Sequence, residues 1–245
     1  MGNFSISGGI SLAPLLEGLQ NPDRVFVFHD DFFAYDGTAT VGGWATSQHS
    51  GGGTAAIDDN HGSIVTLDAG GTSDEDGPSI QTVTEFILPG AGKRIFFETY
   101  LKITSALASS AVFFGLADRD TTVFTTNNAR NLSDYIGFYW DPTTIAATGA
   151  GYLQFAVGDA SGENNNTNTT GCLLVVNTWV RLGFMLDYDG LYVDIYKDGT
   201  RIERMSLTAA NIPATELAPT FCLVNEGTAA TGNMDIDYVT VACTR

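Results

Sequence analysis

Residues 179–204 read WVRLGFMLDYDGLYVDIYKDGTRIER, and the two Asp-Gly dipeptides inside that stretch decide the fold class. Val180, Leu182, Phe184 and Leu186 alternate with Trp179, Arg181, Gly183, Met185 and Asp187, the two-residue period of a strand with one face turned inward. Beyond Asp189-Gly190 the alternation resumes, with Leu191, Val193 and Ile195 set against Tyr192, Asp194 and Tyr196. Asp198-Gly199 then reverses the chain again before Arg201-Ile202. Asp-Gly between alternating runs is a strong hairpin signal, because both residues tolerate positive φ. The stretch predicts a three-stranded antiparallel meander.

Outward from the meander the pattern repeats. Lys93 to Ile103 places Ile95, Phe97, Thr99, Leu101 and Ile103 on one face; Ala111 to Ala117 and Tyr152 to Val157 read as further strands. Tyr135 to Trp140 is an aromatic strand ending at Asp141-Pro142. Residues 36–77, rich in Gly, Thr, Ser and Asp, read as long loops with short strands around Ile64-Val65-Thr66-Leu67 and from Ser79 to Phe86, and residues 162–171 read as a polar loop. With 28 glycines, 7 prolines, 16% charged residues and no charge-patterned amphipathic helix, the chain is expected to be all-β. Its 245 residues suit one large sandwich of some twelve to fourteen strands over 25–245, preceded by an arm over 1–24. In the arm Phe4, Ile6, Ile10 and Leu12 alternate with small polar residues, and Leu15, Leu16 and Leu19 fall in one helical turn before Asn21-Pro22. That apolar arm packs on its own sandwich or docks on a partner.

The charge balance narrows the partners. Twenty-eight acids against 11 basic residues give a net −17, and before Lys93 the only basic residue is Arg24. Phosphate backbones and anionic membranes are repelled by such a surface, so neither nucleic acid nor membrane is expected. Cys172, Cys222 and Cys243 form no C-x-x-C pair and are expected as buried thiols, consistent with a reducing cytoplasm. The stretch from Met1 to Ile6 has neither the basic region of a secretory signal nor a myristoylation pattern, so synthesis without an export signal is expected.

The Trp-led strand, the two Asp-Gly turns and the tyrosine-rich strand between them resemble the central hairpins of concanavalin A-like (laminin-G-like) β-sandwiches. The closing strand, Met234-Asp235-Ile236-Asp237-Tyr238-Val239-Thr240-Val241, is similar to the last strand of such domains in structural proteins of tailed bacteriophages. The opening His29-Asp30-Asp31-Phe32-Phe33, the run Gly42 to Trp44, and Ser79-Ile80-Gln81 resemble their first strands. The resemblance implies a jelly-roll β-sandwich of two antiparallel sheets with a short N-terminal arm. It also implies a virion-surface role: a decoration or cement protein on the capsid exterior, partnered by the major capsid protein or other virion proteins and by copies of itself, a trimer among the options. The alternative is a lectin-like, carbohydrate-binding module, with Trp44 and Trp140 as glycan contacts.

Laminarinase-like glycosidases share the fold that the resemblance implies, and they present two carboxylates to the glycosidic bond from a Glu-x-Asp-x-x-Glu strand. The nearest stretch here, Met234 to Tyr238, holds Asp235 and Asp237 and lacks both glutamates. Neither a Gly-x-Ser-x-Gly elbow nor metal-ligand spacing among His29, His49 and His61 is present. The expectation is a chain without catalytic residues, not an enzyme, and without a cofactor. One acidic cluster, Asp74-Glu75-Asp76-Gly77, raises calcium as an alternative to a solvated loop, although its spacing does not match an EF-hand.

Overall fold

The computed structural model describes residues 23–35, 43–49, 52–58, 63–70, 75–104, 110–125, 129–140, 152–166, 172–225 and 232–245. The arm residues Phe4, Ile6, Ile10, Leu12, Leu15, Leu16 and Leu19 lie outside them, as do His61 and Asp74. Seventeen strands run along the chain among the described residues. They begin with β1 (Val25–Asp30), β2 (Trp44–His49), β3 (Thr54–Ile57), β4 (Val65–Asp68), β5 (Gly77–Thr82) and β6 (Arg94–Ile103). Next come β7 (Ser110–Ala117), β8 (Phe124–Thr125), β9 (Ala129–Arg130), β10 (Tyr135–Trp140), β11 (Gln154–Asp159) and β12 (Gly162–Asn166). The last five are β13 (Val180–Asp187), β14 (Tyr192–Lys197), β15 (Thr200–Ser206), β16 (Ala218–Asn225) and β17 (Asn233–Thr244).

Two antiparallel sheets carry the fold. The eight-stranded sheet runs β15-β14-β13-β6-β17-β4-β3, with β1 also paired to β17; the seven-stranded sheet runs β12-β11-β10-β7-β16-β5-β2. The chain changes sheet at β1/β2, β2/β3, β4/β5, β5/β6, β6/β7, β12/β13, β15/β16 and β16/β17, which makes the sandwich a jelly roll. Long-period crossovers of this kind are not written in local sequence, whereas the meander β13-β14-β15 is.

At Asp198-Gly199 both residues take positive φ, 50° and 79°, and Lys197 faces Thr200 directly across the two-residue turn. At Asp189-Gly190 the turn differs from the expectation. Asp187 faces Tyr192 across four residues, positive φ falls on Leu191 (49°), and the Gly190 N–H donates to Asp187 Oδ1 at 2.9 Å. The Asp187 side chain caps this wider loop, so a second two-residue turn is not needed.

The core follows from the period-two pattern. Along β6 buried and half-buried residues alternate from Ile95 to Ile103, and the buried set meets rings from the opposite sheet. Phe97 stacks on Phe184 at 5.2 Å; Phe184 in turn meets Phe155 at 5.2 Å and Phe138 at 6.5 Å, and Phe138 stacks on Phe114 at 5.1 Å. A second aromatic group gathers Phe32, Trp44 and Phe221, with the Trp44 Nε1–H donating to Asp30 Oδ2 at 2.8 Å. Cys172, Cys222 and Cys243 are free thiols and buried. Among the described residues no helix is long and apolar enough to cross a membrane.

Candidate functional site

A sandwich of two sheets offers two outer faces, and here they are built differently. On the seven-stranded sheet Ser79, Gln81, Phe113, Tyr135, Tyr139, Gln154, Thr220 and Cys222 point away from the inter-sheet core, yet all are buried. Their cover comes from residues 118–125 and 129–134, which carry the paired strands β8 and β9 and the fully buried Val123 and Phe124. Gln81 fastens it: its Nε2 donates to the Asp118 carbonyl and to Thr220 Oγ1, both at 3.0 Å, and its Oε1 accepts the Asp120 N–H at 3.1 Å. On the far side the Arg130 guanidinium lies 3.8 Å from the Tyr139 ring centre and 4.5 Å from that of Tyr135, and pairs with Glu163. The Tyr135 hydroxyl donates to the same carboxylate.

Beneath this roof His49 Nε2 lies 3.2 Å from Ser79 Oγ and 3.7 Å from Cys222 Sγ. A Cys–His pair suggests nucleophilic chemistry, but the environment works against it. Burial holds the imidazole below its ordinary value and pushes the Cys222 thiol well above its own, which disfavours both the thiolate and the imidazolium.

The outer face of the eight-stranded sheet is partly accessible among the described residues: Phe96, Tyr100, Lys102 and Trp179 are half-buried, whereas Asp235 and Thr240 are buried. Across it runs an aromatic row: Trp179 just before β13, Tyr100 on β6, Tyr238 on β17 and His29 on β1. Ring centres lie 5.0 Å apart for Trp179 and Tyr100, 6.3 Å for Tyr100 and Tyr238, and 5.8 Å for Tyr238 and His29. Trp179, Tyr100 and Tyr238 are half-buried, and His29 is exposed. Polar groups flank the row. Lys102 Nζ stands 5.1 Å from the Trp179 ring and 2.8 Å from Asp235 Oδ2, while Asp235 Oδ1 accepts from Thr66 at 2.8 Å. The Tyr238 hydroxyl donates to Glu98 Oε1 at 2.7 Å, and His29 Nδ1 lies 2.8 Å from Thr240 Oγ1.

A β-bulge makes this row. Ile236 faces Leu101 and Tyr238 faces Tyr100, so Asp237 is the extra residue between them. Without the bulge Tyr238 would face Thr99 and point into the core, because a one-residue slip turns every following side chain to the other face. The inserted residue sends Tyr238 outward beside Tyr100 and sets Val239 and Val241 inward, both fully buried. Sequence reasoning missed the row for this reason: Tyr238 takes its side from the bulge, which local alternation does not announce. Trp179 and Tyr100 were legible as outward-facing residues of their strands.

The other expected site residues fall elsewhere. Trp44 and Trp140 are each 1% exposed and belong to the core, so the glycan contact anticipated for them has no free ring face. The whole strand Tyr135 to Trp140 is buried, pressed between the opposite sheet and the roof. In the acidic cluster Asp76 is buried, and the Glu75 N–H donates to the Asn225 carbonyl at 2.9 Å. No group of three metal-binding side chains occurs among the described residues. Asp235 and Asp237, the nearest counterparts of a catalytic acid pair, lie on β17 at the aromatic row. Asp235 is neutralised by Lys102, and burial raises the Asp237 carboxyl.

Several carboxyls share that direction. Burial raises Glu98, Asp118, Asp134, Glu203 and Asp237 above their ordinary values. Each binds its proton more tightly folded than unfolded, so each favours folding as pH falls toward and through its raised value. His49, held below 6.5 by burial, acts in the opposite sense, because its unfolded form gains the proton first. The hydrogen bond from Gly190, with the nearby Arg94, depresses Asp187, whose contribution is lost only below about pH 4. Five groups against one predict a higher melting temperature near pH 5 than at pH 7, read by scanning fluorimetry across that range. A melting temperature that falls steadily on acidification would refute the assignment.

Comparison with known proteins places the sandwich. No protein-family model matches the chain, and no curated protein matches it. Among solved structures, the carbohydrate recognition domain of Emp47p is similar over 89% of this chain and 96% of its own, with a TM-score of 0.57 at 11% identity. A beta-1,3-glucanase from Mycobacterium marinum is similar over 87% and 97%, with a TM-score of 0.56 at 14% identity. An endo-1,3-beta-glucanase from Streptomyces sioyaensis is similar over 88% and 95%, with a TM-score of 0.54 at 14% identity. At these identities the likeness is one of fold, and the fold is the concanavalin A-like jelly roll that the resemblance implied. The expectation that the chain is not an enzyme is overturned here, since two of these three sandwiches are glucanases and the fold is one on which glycosides are cleaved. The virion role implied by the closing strand gains no support from these structures.

Proposed function

We propose that this protein is a carbohydrate-binding β-sandwich that takes a glycan on the outer face of its eight-stranded sheet. The observation that carries the reading is the half-buried aromatic row Trp179–Tyr100–Tyr238 on that face, bordered by Lys102, Asp235, Glu98 and His29. Pyranose rings join apolar C–H faces to a rim of hydroxyls, and rings beside ammonium, carboxylate and imidazole groups match both parts. The other outer face is roofed by residues 118–125 and 129–134. Support from outside the chain is the likeness of its fold to a carbohydrate recognition domain and to glucanases.

The test is affinity gel electrophoresis of the whole chain in gels cast with a panel of soluble polysaccharides. Retardation by at least one of them is expected, with Trp179→Ala and Tyr100→Ala each weakening it about tenfold at an unchanged melting temperature. Unretarded migration on every polysaccharide would reject the reading. Reducing sugar released during the same incubations would identify the bound glycan as a substrate.

A further inference from the structure

A groove at the other end of β17 has a chemistry that the aromatic row does not use. Cys243 faces Ile95 across the β17–β6 pairing, whereas Tyr238 faces Tyr100, so the two places lie about 17 Å apart at roughly 3.4 Å per residue. The groove encloses about 240 Å³. Phe26, Phe86 and Leu88 make its apolar wall, with the Phe26 and Phe86 rings 5.4 Å apart and Leu88 left 36% exposed. Lys93 and Arg245 stand on its rim beside a single acid, Glu216.

The charges on that rim stand outside the ion pairs among the described residues, as those of Arg24, Arg119 and Lys197 also do. The chain carries a net −17, and the ion pairs among its described residues use Arg94, Lys102, Arg130, Arg201 and Arg204. Lys93 and Arg245 take part in none of them. Lys93 Nζ donates instead to the Leu88 carbonyl at 3.1 Å, which holds the ammonium at the mouth of the groove. The Arg245 N–H donates to the Arg24 carbonyl at 2.8 Å, which fixes its backbone there and brings Arg24 to the same end. Burial raises the Cys243 thiol while the Lys93 charge pulls it back, which places that charge beside the groove lining.

We propose that this groove binds a small carboxylic acid with an apolar body. The two rim cations receive the carboxylate, and the body lies against Phe26, Phe86 and Leu88. A half-open groove of about 240 Å³ admits a chain of the size of hexanoate. An apolar wall alone accepts any small hydrophobe; two cations without carboxylate partners in an otherwise acidic body select the anion.

The experiment is a proton–nitrogen NMR titration of the full chain with hexanoate, with hexylamine and acetate as controls. Hexanoate is expected to give saturable shifts at the amides of Phe26, Phe86, Leu88 and Thr244, with a dissociation constant of about 1 mM. The double variant Lys93→Glu, Arg245→Glu, at two surface positions, should weaken this at least tenfold, and hexylamine should leave the same amides unmoved. Shifts of equal size with hexylamine would remove the role of the cations, and shifts of equal size with acetate would remove the role of the wall. Either result overturns the proposal, as does a hexanoate response that is absent, non-saturable, centred elsewhere or indifferent to the double variant. Glycan binding at the aromatic row is read separately and is unaffected by any of these outcomes.

Discussion

Phe184→Ala is expected to cost about 3–5 kcal/mol of folding stability, a fall in melting temperature of roughly 6–20 °C for a chain of this size. The ring sits on β13 in the eight-stranded sheet and is fully buried. It touches Phe97 within its own sheet, at 5.2 Å, and Phe155 and Phe138 in the other, at 5.2 and 6.5 Å. Truncation removes the transfer energy of the phenyl group and leaves a cavity between two sheets whose spacing is set by many other side chains, so the site cannot collapse around the gap. Tertiary contacts would be lost from both sheets at once. Urea unfolding of the two proteins measures the cost, and Phe184→Leu, which keeps most of the volume, should recover more than half of it. A loss below about 1 kcal/mol for the alanine variant would mean that this ring does not bridge the sheets.

Phe184 was also legible as an inward residue from alternation alone, and it marks how far the sequence reaches. Where a strand follows the two-residue period without interruption, its buried face can be read directly: Ile95 to Ile103 on β6 and Val180 to Leu186 on β13 are such cases. The order of strands within each sheet is another matter. β6 lies between β13 and β17, partners some eighty and more than a hundred residues further along, and no local signal states those pairings. Two devices hid the outer faces. The bulge at Asp237 turned Tyr238 toward solvent against the local alternation, so the aromatic row could not be assembled from the strands separately. Residues 118–125 and 129–134 carry no alternation that marks a cover, and only the contacts to Gln81 and those of Arg130 reveal that they close over the seven-stranded sheet. Trp44 and Trp140 misled for the opposite reason. Both were expected as ring faces for a glycan, but in a sandwich this size the largest rings are needed to fill the space between the sheets.

Gly115→Ala is expected to destabilise the protein by about 3 kcal/mol or more, lowering the melting temperature by roughly 6–12 °C. Gly115 lies in β7, facing Gly137 of β10 on one side and Thr220 of β16 on the other, with φ at 157°. A Cβ there would stand 2.3 Å from the Ile136 carbonyl oxygen and 2.6 Å from the Gly137 Cα. Both obstacles are backbone, so no rotamer change relieves them; β10 itself must move. Moving β10 displaces Tyr135 and Tyr139, on which Arg130 rests, and loosens the roof together with the sheet. Gly90→Ala, where an added Cβ meets nothing within 4 Å, is the matched control and should melt with the parent protein. A Gly115→Ala variant that melts within about 2 °C of the parent would show that β7 and β10 are not held this close. Because the aromatic row lies on the other sheet, the same variant also tests where the glycan binds. Below its melting temperature it should retain polysaccharide affinity while Tyr100→Ala, still stably folded, loses it; the reverse pattern would move the binding surface to the roofed face.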